Sequence, residues 1–553
     1  MRNLLYCMSF FTVVFLSCNL FGQTKEDRLR EALRIIIENR NRAEYITAGG
    51  EKLHSSVLLP RFYIHRTFKP AWIDKSGITR NARVLYNTIS LAYKEGLEPN
   101  DYHFPIIGTI INEIDSETKS AGIEVIAKSA QLELLLTDAF LIYCSHLLSG
   151  KVNPIIVDPE WRADRESLDL LNVLQNALNN NTIEESINGL LPRNNSYHLL
   201  KKTLNRFQTY IQEVPFNPIP EGPVIRSGGR DPRLKEIRRR LEIFLGSASP
   251  NKDPEYYDNN LRSLVSQFQF QFGIDVDGSI GPQTLAALNT PVENLVQKIK
   301  VNLERWRWLP QDLGNKYLIV NIPDFWLKVI ENEKVVHSMP AIIGTLYRRT
   351  PVFNSKIRYL VFNPYWFIPK NIAVEDYLPH IRKNSDYLKD NHIRVFNTWG
   401  ADAKELDSKT IDWSSVNSDN FNFALRKDPG GNNPLGNIKF MFPNQFNVYL
   451  HDTPDKGLFK NADRLYSSGC IRIQYPLLLA NYLLSPDTSW TMERIVSEIK
   501  TGIERTVTLA EPVDIYILYW TVWIDENGNI NFRKDIYERD KKVLIALNTR
   551  DVQ

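Results

Sequence analysis

At 553 residues, 43% of them apolar, the chain is too long for one ordinary domain and can bury several cores. Its 67 basic and 64 acidic side chains leave a formal charge of +3. With no basic run long enough to form a polyanion-binding tail, nucleic acid is excluded as the expected partner.

Arg2 gives a short positive start, and Leu4 to Leu16 is an apolar run of signal-peptide rather than membrane-span length. Residues 1–22 are expected to leave as a signal peptide, cut near Gly22-Gln23. An alternative exit is Leu16-Ser17-Cys18, which resembles a lipoprotein box with Phe15 in place of the usual aliphatic residue. Cys18 would then carry a lipid anchor to the outer or inner membrane. Either exit predicts an exported protein of the periplasm or cell envelope. Cys7 and Cys18 belong to this leader, so only Cys144 and Cys470 remain, too few for a disulfide framework. Cys144 follows the apolar helical run Leu135 to Tyr143 and reads as a buried structural thiol. Cys470 is then a free thiol in an oxidising compartment, for which catalysis is the commonest reason.

Residues 24–213 read as a helical scaffold domain. Leu29, Leu33, Ile36 and Ile37 share one helix face, and turn signals at Gly96 to Asp101 and Gly150 to Pro154 separate further periodic segments. His54, His65, His103, His146 and His198 are scattered without metal-ligand spacing. Residues 214–230 form a linker with Pro215, Pro218, Pro220 and Pro223 among its residues, predicted to stay extended and pack poorly. Residues 231–292 form a compact unit. Asp231 is predicted to cap a first helix with Pro232 at its first position and Leu234, Ile237, Leu241 and Leu245 as its stripe. A second helix carries Leu261, Leu264, Val265, Phe268 and Phe272. A tight turn, Asp277-Gly278-Ser279-Ile280-Gly281-Pro282-Gln283-Thr284, leads into a third. Three short helices around that turn resemble a peptidoglycan-binding domain. A calcium loop would need an acidic residue at its far end, which is missing.

From about residue 300 the hydrophobic period changes to that of strands, and residues 300–545 are expected to form one β-rich domain. Strands are predicted at Tyr317–Asn321, Phe325–Ile330, Val335–Ile343, Tyr359–Phe362, Ile438–Phe440 and Asn447–Leu450. Residues 371–420 turn polar and helix-like, an insertion suited to a lid. The fold class is therefore multidomain α+β: helical scaffold, three-helix module, and β-rich catalytic domain with an inserted lid.

His451 ends a predicted strand, and Cys470 follows a polar loop in Ser467-Ser468-Gly469-Cys470-Ile471-Arg472. A thiol becomes a strong nucleophile when an imidazole takes its proton. Gly469 lets the backbone approach an incoming carbonyl, and N–H groups near Gly469-Cys470 are candidates for an oxyanion hole. Arg472 would set a guanidinium near the thiol, suited to a substrate carboxylate. Ser467, Ser468, Tyr449, Asn447 and Arg426 are further candidate substrate-binding residues of the cleft.

The strings His451-Asp452-Thr453-Pro454 and Ser467-Ser468-Gly469-Cys470-Ile471-Arg472 resemble the signature of the L,D-transpeptidases with a YkuD-type catalytic domain. Asn302 to Pro310 and Asn363 to Pro369 match the large subgroup that joins scaffold, peptidoglycan-binding and lidded catalytic domains. Ser468 stands where smaller members often carry histidine, which leaves His451 as the base. The resemblance implies acyl transfer through a Cys470 thioester, with peptidoglycan tetrapeptide stems as donor and acceptor and 3→3 cross-links as product. It implies no cofactor and no metal, acylation of Cys470 by carbapenems, and a setting that includes other wall-synthesis proteins. Alternatives are an L,D-carboxypeptidase or thiol peptidase on the same stems, attachment of a protein amine to the wall, and a non-catalytic wall-binding protein.

Overall fold

The computed structural model describes residues 24–39, 46–116, 122–162, 167–213, 216–247, 252–384, 386–400 and 402–549. The predicted leader, with Cys7 and Cys18, lies outside them. Chain contacts divide into two compact units, one from Met1–Val152, Arg165–Arg193 and Leu547–Gln553, the other from Asn153–Asp164 and Asn194–Ala546. The boundary falls before residue 194 rather than at 213. Helix Asn195–Glu213 packs on Val292–Arg307 in the second unit, because its apolar face has its partner there.

The first unit is built round helix Ile123–Ser149, 27 residues long and buried along nearly every face. A helix apolar all round needs neighbours on all sides, and Lys25–Glu38, Leu58–His65, Arg80–Ser90, Phe104–Ser116 and Leu170–Asn180 supply them. Two acids break the apolar run. Glu133 accepts hydrogen bonds from the amides of Ala71, Trp72 and Ile73 and from the Tyr63 hydroxyl. Asp138 accepts from the amides of His54 and Ser55 and pairs with the His103 ring. Each carboxylate takes up main-chain donors of a segment that packs against the helix. Cys144, on the same helix, is fully buried and in no disulfide among the described residues, as its apolar context predicts.

In the second unit the three-helix module spans Leu234–Leu245, Asn259–Gln271 and Pro282–Leu288, with the rings of Phe244 and Phe268 stacked and Phe272 tilted against them. The first helix starts at Leu234, later than predicted, since Asp231 turns its carboxylate to the Arg233 amide and guanidinium before the helix begins. The proline-rich segment does not pack poorly. Ile219 and Ile225 are buried against the module, and the latter bridges Ile280. Proline removes donors but not apolar side chains, so the segment strips along the helices. The Glu-Arg-Trp-Arg-Trp string is a structural junction: buried Glu304 holds Arg307 and the Trp308 indole, while Arg305 reaches Asp540 at 2.6 Å.

The sheet of the β-rich domain comprises β1 (Lys316–Asn321), β2 (Trp326–Glu331), β3 (Lys334–Gly344), β4 (Val352–Phe362), β5 (Ile438–Met441), β6 (Leu450–His451), β7 (Leu465–Ser467), β8 (Ile471–Ile473) and β9 (Arg505–Leu518). Pairing runs β1-β2-β3-β8-β6-β5-β4-β9 and returns to β1, so the ladder closes on itself. Closure leaves no free edge along that circuit. Along the circuit the β6–β8 and β9–β1 pairs are parallel and the others antiparallel, while β7, off the circuit, pairs with β3 in parallel.

The insertion differs from its expected helix-like form. Short helical turns over residues 370–383 and 387–390 are joined by a four-stranded sheet of Trp366–Ile368, Ala424–Lys427, Ile393–Phe396 and Glu405–Leu406. It has a core of its own, including Ile368, Leu378, Ile381, Leu388, Trp413 and Leu425. Two of its strands lie outside the predicted bounds of 371–420, which is why that stretch alone looked polar.

Candidate active site

β6 is only two residues long because Asn447 has φ +54 and the Asn444 side chain takes up the Val448 amide and carbonyl, so residues 447–449 leave the strand geometry predicted for them. Lys439 on β5 and Arg472 on β8 are the register partners of His451 on its two sides. Side chains in register share a face. Lysine, histidine and arginine therefore stand in a row across three strands, with Cys470 two residues before Arg472.

The turn that carries Cys470 crosses the end of β3. The Ala341 and Ile343 amides donate to the Phe325 and Arg464 carbonyls, so β7 continues the edge that β2 occupies while β8 takes the other edge. Between them Ser468-Gly469-Cys470 must pass over the strand end, and Gly469 does so at φ +107, a conformation that a side chain would strain. Gly344 lies below, where a Cβ would come within 2.1 Å of the Arg348 carbonyl. Ser467 braces the turn: its hydroxyl donates to the Cys470 carbonyl and accepts the Gly469 amide at 3.2 Å. The Gly469 carbonyl accepts from Thr350 Oγ1 at 2.9 Å.

Those bonds alter one expectation. The Gly469 amide is spent inside the turn and does not face an incoming oxygen. The Cys470 amide makes no hydrogen bond among the described residues and is the better placed donor.

His451 is buried, and its Nδ1 lies 2.5 Å from the Asp452 carbonyl oxygen. A carbonyl only accepts, so the proton sits on Nδ1 and Nε2 keeps its lone pair. The Asp452 carboxylate is occupied elsewhere, by the Asn437 and Thr453 amides and the Lys456 ammonium. Burial, together with the charges of Arg472, Lys439 and Lys456, lowers the His451 pKa to about 3, so the ring is neutral at physiological pH. Burial pushes the Cys470 thiol up, opposed by hydrogen bonds from Tyr449 and by the charges of Lys439 and Arg472. The thiol itself lies 3.9 Å from the Asn447 carbonyl oxygen.

His451 and Cys470 line one cleft of about 1170 Å³. Of the other sequence-predicted residues, Asn447, Tyr449, Ser467, Ser468 and Arg472 line it too. Arg426 does not. It lies in the strand Ala424–Lys427 of the insertion, stacked over Tyr365 at 4.3 Å and Phe396 at 4.7 Å and paired with Asp428. Its guanidinium supports the aromatic surface of the insertion instead of entering the cleft.

Two residues escaped the sequence reading. Lys439 is half-buried with its ammonium 3.8 Å from the centre of the Tyr449 ring. Its only sequence signal is strand alternation that turns it to the same face as His451. Arg348 bonds Ser468 Oγ at 3.1 Å and pairs with Glu375 and Asp376 of the insertion, both at 2.6 Å. No short motif marks it, because its partners are contributed by distant segments.

Residues 315–515 match the family described as the L,D-transpeptidase catalytic domain, YkuD. That stretch is similar to a YkuD-type L,D-transpeptidase catalytic domain. Residues 230–288 match the family described as "Putative peptidoglycan binding domain", and residues 57–204 the one described as "Scaffold domain". A curated relative from Haemophilus influenzae, "Putative L,D-transpeptidase", is 34% identical over 253 residues, 46% of this chain and 50% of that protein. The chain thus spans about half the length of the curated relative it matches. Among solved structures, an L,D-transpeptidase from Mycobacterium smegmatis is 12% identical with a TM-score of 0.17, over 37% of this chain and 58% of the other. One from Xylanimonas cellulosilytica is 14% identical with a TM-score of 0.17, over 54% and 99%. At such scores neither likeness decides anything. The L,D-transpeptidase domain and its peptidoglycan-binding neighbour point to the cell envelope, and no described helix is long and apolar enough to cross a membrane.

Proposed function

We propose that the chain is a peptidoglycan L,D-transpeptidase that forms 3→3 cross-links through a thioester on Cys470. The observation that carries this reading is the tautomer of His451: with Nδ1–H committed to the Asp452 carbonyl, Nε2 is an acceptor in the same cleft as the thiol. Nε2 takes the thiol proton as sulfur attacks the carbonyl of the third residue of a tetrapeptide stem. The developing oxyanion is met by the Cys470 amide. The C–N bond breaks, the terminal D-alanine leaves with the proton from Nε2, and a thioester remains. The side-chain amine of a second stem then attacks, giving its proton to His451. The C–S bond breaks, a new amide forms, and the expelled Cys470 sulfur takes the proton back from Nε2. A thioester conserves the energy of the amide it replaces, so the chemistry needs neither a nucleotide nor a metal.

Arg348 clasps the insertion to Ser468 beside the nucleophile, which suits a lid that covers the thioester and limits water. In this reading the protein is exported and works in the periplasm, with residues 231–292 holding it to the wall. Purified protein incubated with disaccharide-tetrapeptide should yield 3→3 dimers. Tripeptide alone would assign hydrolysis, and no change in the stem would make it a binding protein. Attachment to a protein amine would appear only when that amine is supplied.

A further inference from the structure

The row Lys439–His451–Arg472 has more positive charge than its surroundings balance. The acids lining the cleft are Asp376 and Asp455. Asp376 is held by Arg348 at 2.6 Å, and Asp455 is largely exposed and 3.6 Å from Arg472. No carboxylate lies within ion-pair distance of Lys439 among the described residues: Glu504 acts on it only from farther off and accepts the Tyr365 amide, and the close neighbour of the ammonium is the face of the Tyr449 ring. Burial pushes the Cys470 thiol up, so while the acyl donor binds the sulfur carries no charge that would offset either cation. Two half-buried cations flanking a neutral imidazole then call for an anion from outside.

We propose that Lys439 reads a free carboxylate on the acyl donor beside the scissile carbonyl, which makes it a specificity-determining residue. This rests on the acyl-transfer reading above. Strand register keeps the ammonium on the face of His451, and the Tyr449 ring holds it there by cation–π attraction without neutralising it. A charge-assisted bond to carboxylate is stronger than one to a neutral amide, so donors should be ranked by that charge.

The test compares two tetrapeptide stems that differ only at the terminal D-alanine, free acid against carboxamide. Acylation of Cys470 is followed by intact mass. Thiolate fraction affects both donors equally and cancels in the ratio of their kcat/KM values. The native protein should favour the acid by roughly tenfold, mainly through KM. Lys439→Met should bring the ratio near one, and Lys439→Arg should restore most of it. A preference that survives in Lys439→Met overturns the inference and leaves acyl transfer standing. If neither stem acylates the native protein, the acyl-transfer reading falls and this inference with it. Alkylation of Cys470 by iodoacetamide confirms that each variant is folded around its thiol.

Discussion

The buried acids of the helical unit and the row of charged groups in the catalytic cleft are both polar clusters in apolar surroundings, yet they are completed differently. Glu133 accepts from three amides and a hydroxyl, and Asp138 from two amides and an imidazole, so little bonding capacity is left over. In the cleft, His451 Nε2, the Cys470 amide and the Lys439 ammonium keep capacity unspent. A satisfied buried network fixes a shape, whereas an incomplete one is costly until a substrate completes it. Structural and reactive polar groups can thus be told apart by what remains open.

The contrast is broken most severely at the thiol. Cys470→Ser should lower cross-link formation by about 10³-fold or more while leaving the melting temperature within a degree or two, as assayed by dimer formation and calorimetry. The reverse is expected at Glu133. Its burial already pushes the carboxyl pKa up, and Glu133→Ala would strand several donors, costing about 3–5 kcal/mol in urea unfolding. The folded fraction should still alkylate at Cys470.

His451 sharpens the same comparison through pH. Its folded-state pKa of about 3 lies below the ordinary 6.5, so between those values the unfolded chain binds the extra proton. Stability should fall as pH drops from about 6.5 toward 3, and His451→Asn should flatten that slope in acid titrations followed by circular dichroism. Across neutral pH the imidazole stays neutral, so thiol alkylation should climb with pH through the raised thiol pKa and show no inflection near 6.5. The smallest effect is expected at Arg348. Its pairs with Glu375 and Asp376 are partly exposed, so Arg348→Ala should cost under about 1 kcal/mol of stability. It should lower kcat/KM a few-fold and quicken proteolysis within residues 371–420.

Local patterns were legible in the sequence. The stripe of Leu234, Ile237 and Leu241, the apolar run around Cys144, and the His451 and Cys470 strings all depend on neighbours a few positions away. What was not legible depends on distant partners. Closure of the ladder through β4–β5 and β9–β1, the placement of helix Asn195–Glu213, and the sheet inside the insertion are set by pairings that no local period encodes. Lys439 and Arg348 were missed for that reason, since each becomes chemically suggestive only when tertiary structure brings it to its neighbours. Arg426 was misplaced by the same blindness, as its charge drew notice but its aromatic bed lay elsewhere in the chain.

The group that orients His451 is a main-chain carbonyl, and a carbonyl has no codon. No substitution at position 452 other than one that bends the backbone can remove it, so Asp452→Asn should leave the imidazole proton where it is. The proton inventory of the base is therefore sheltered from point mutation, and loss of function by that route requires a change in the path of the chain.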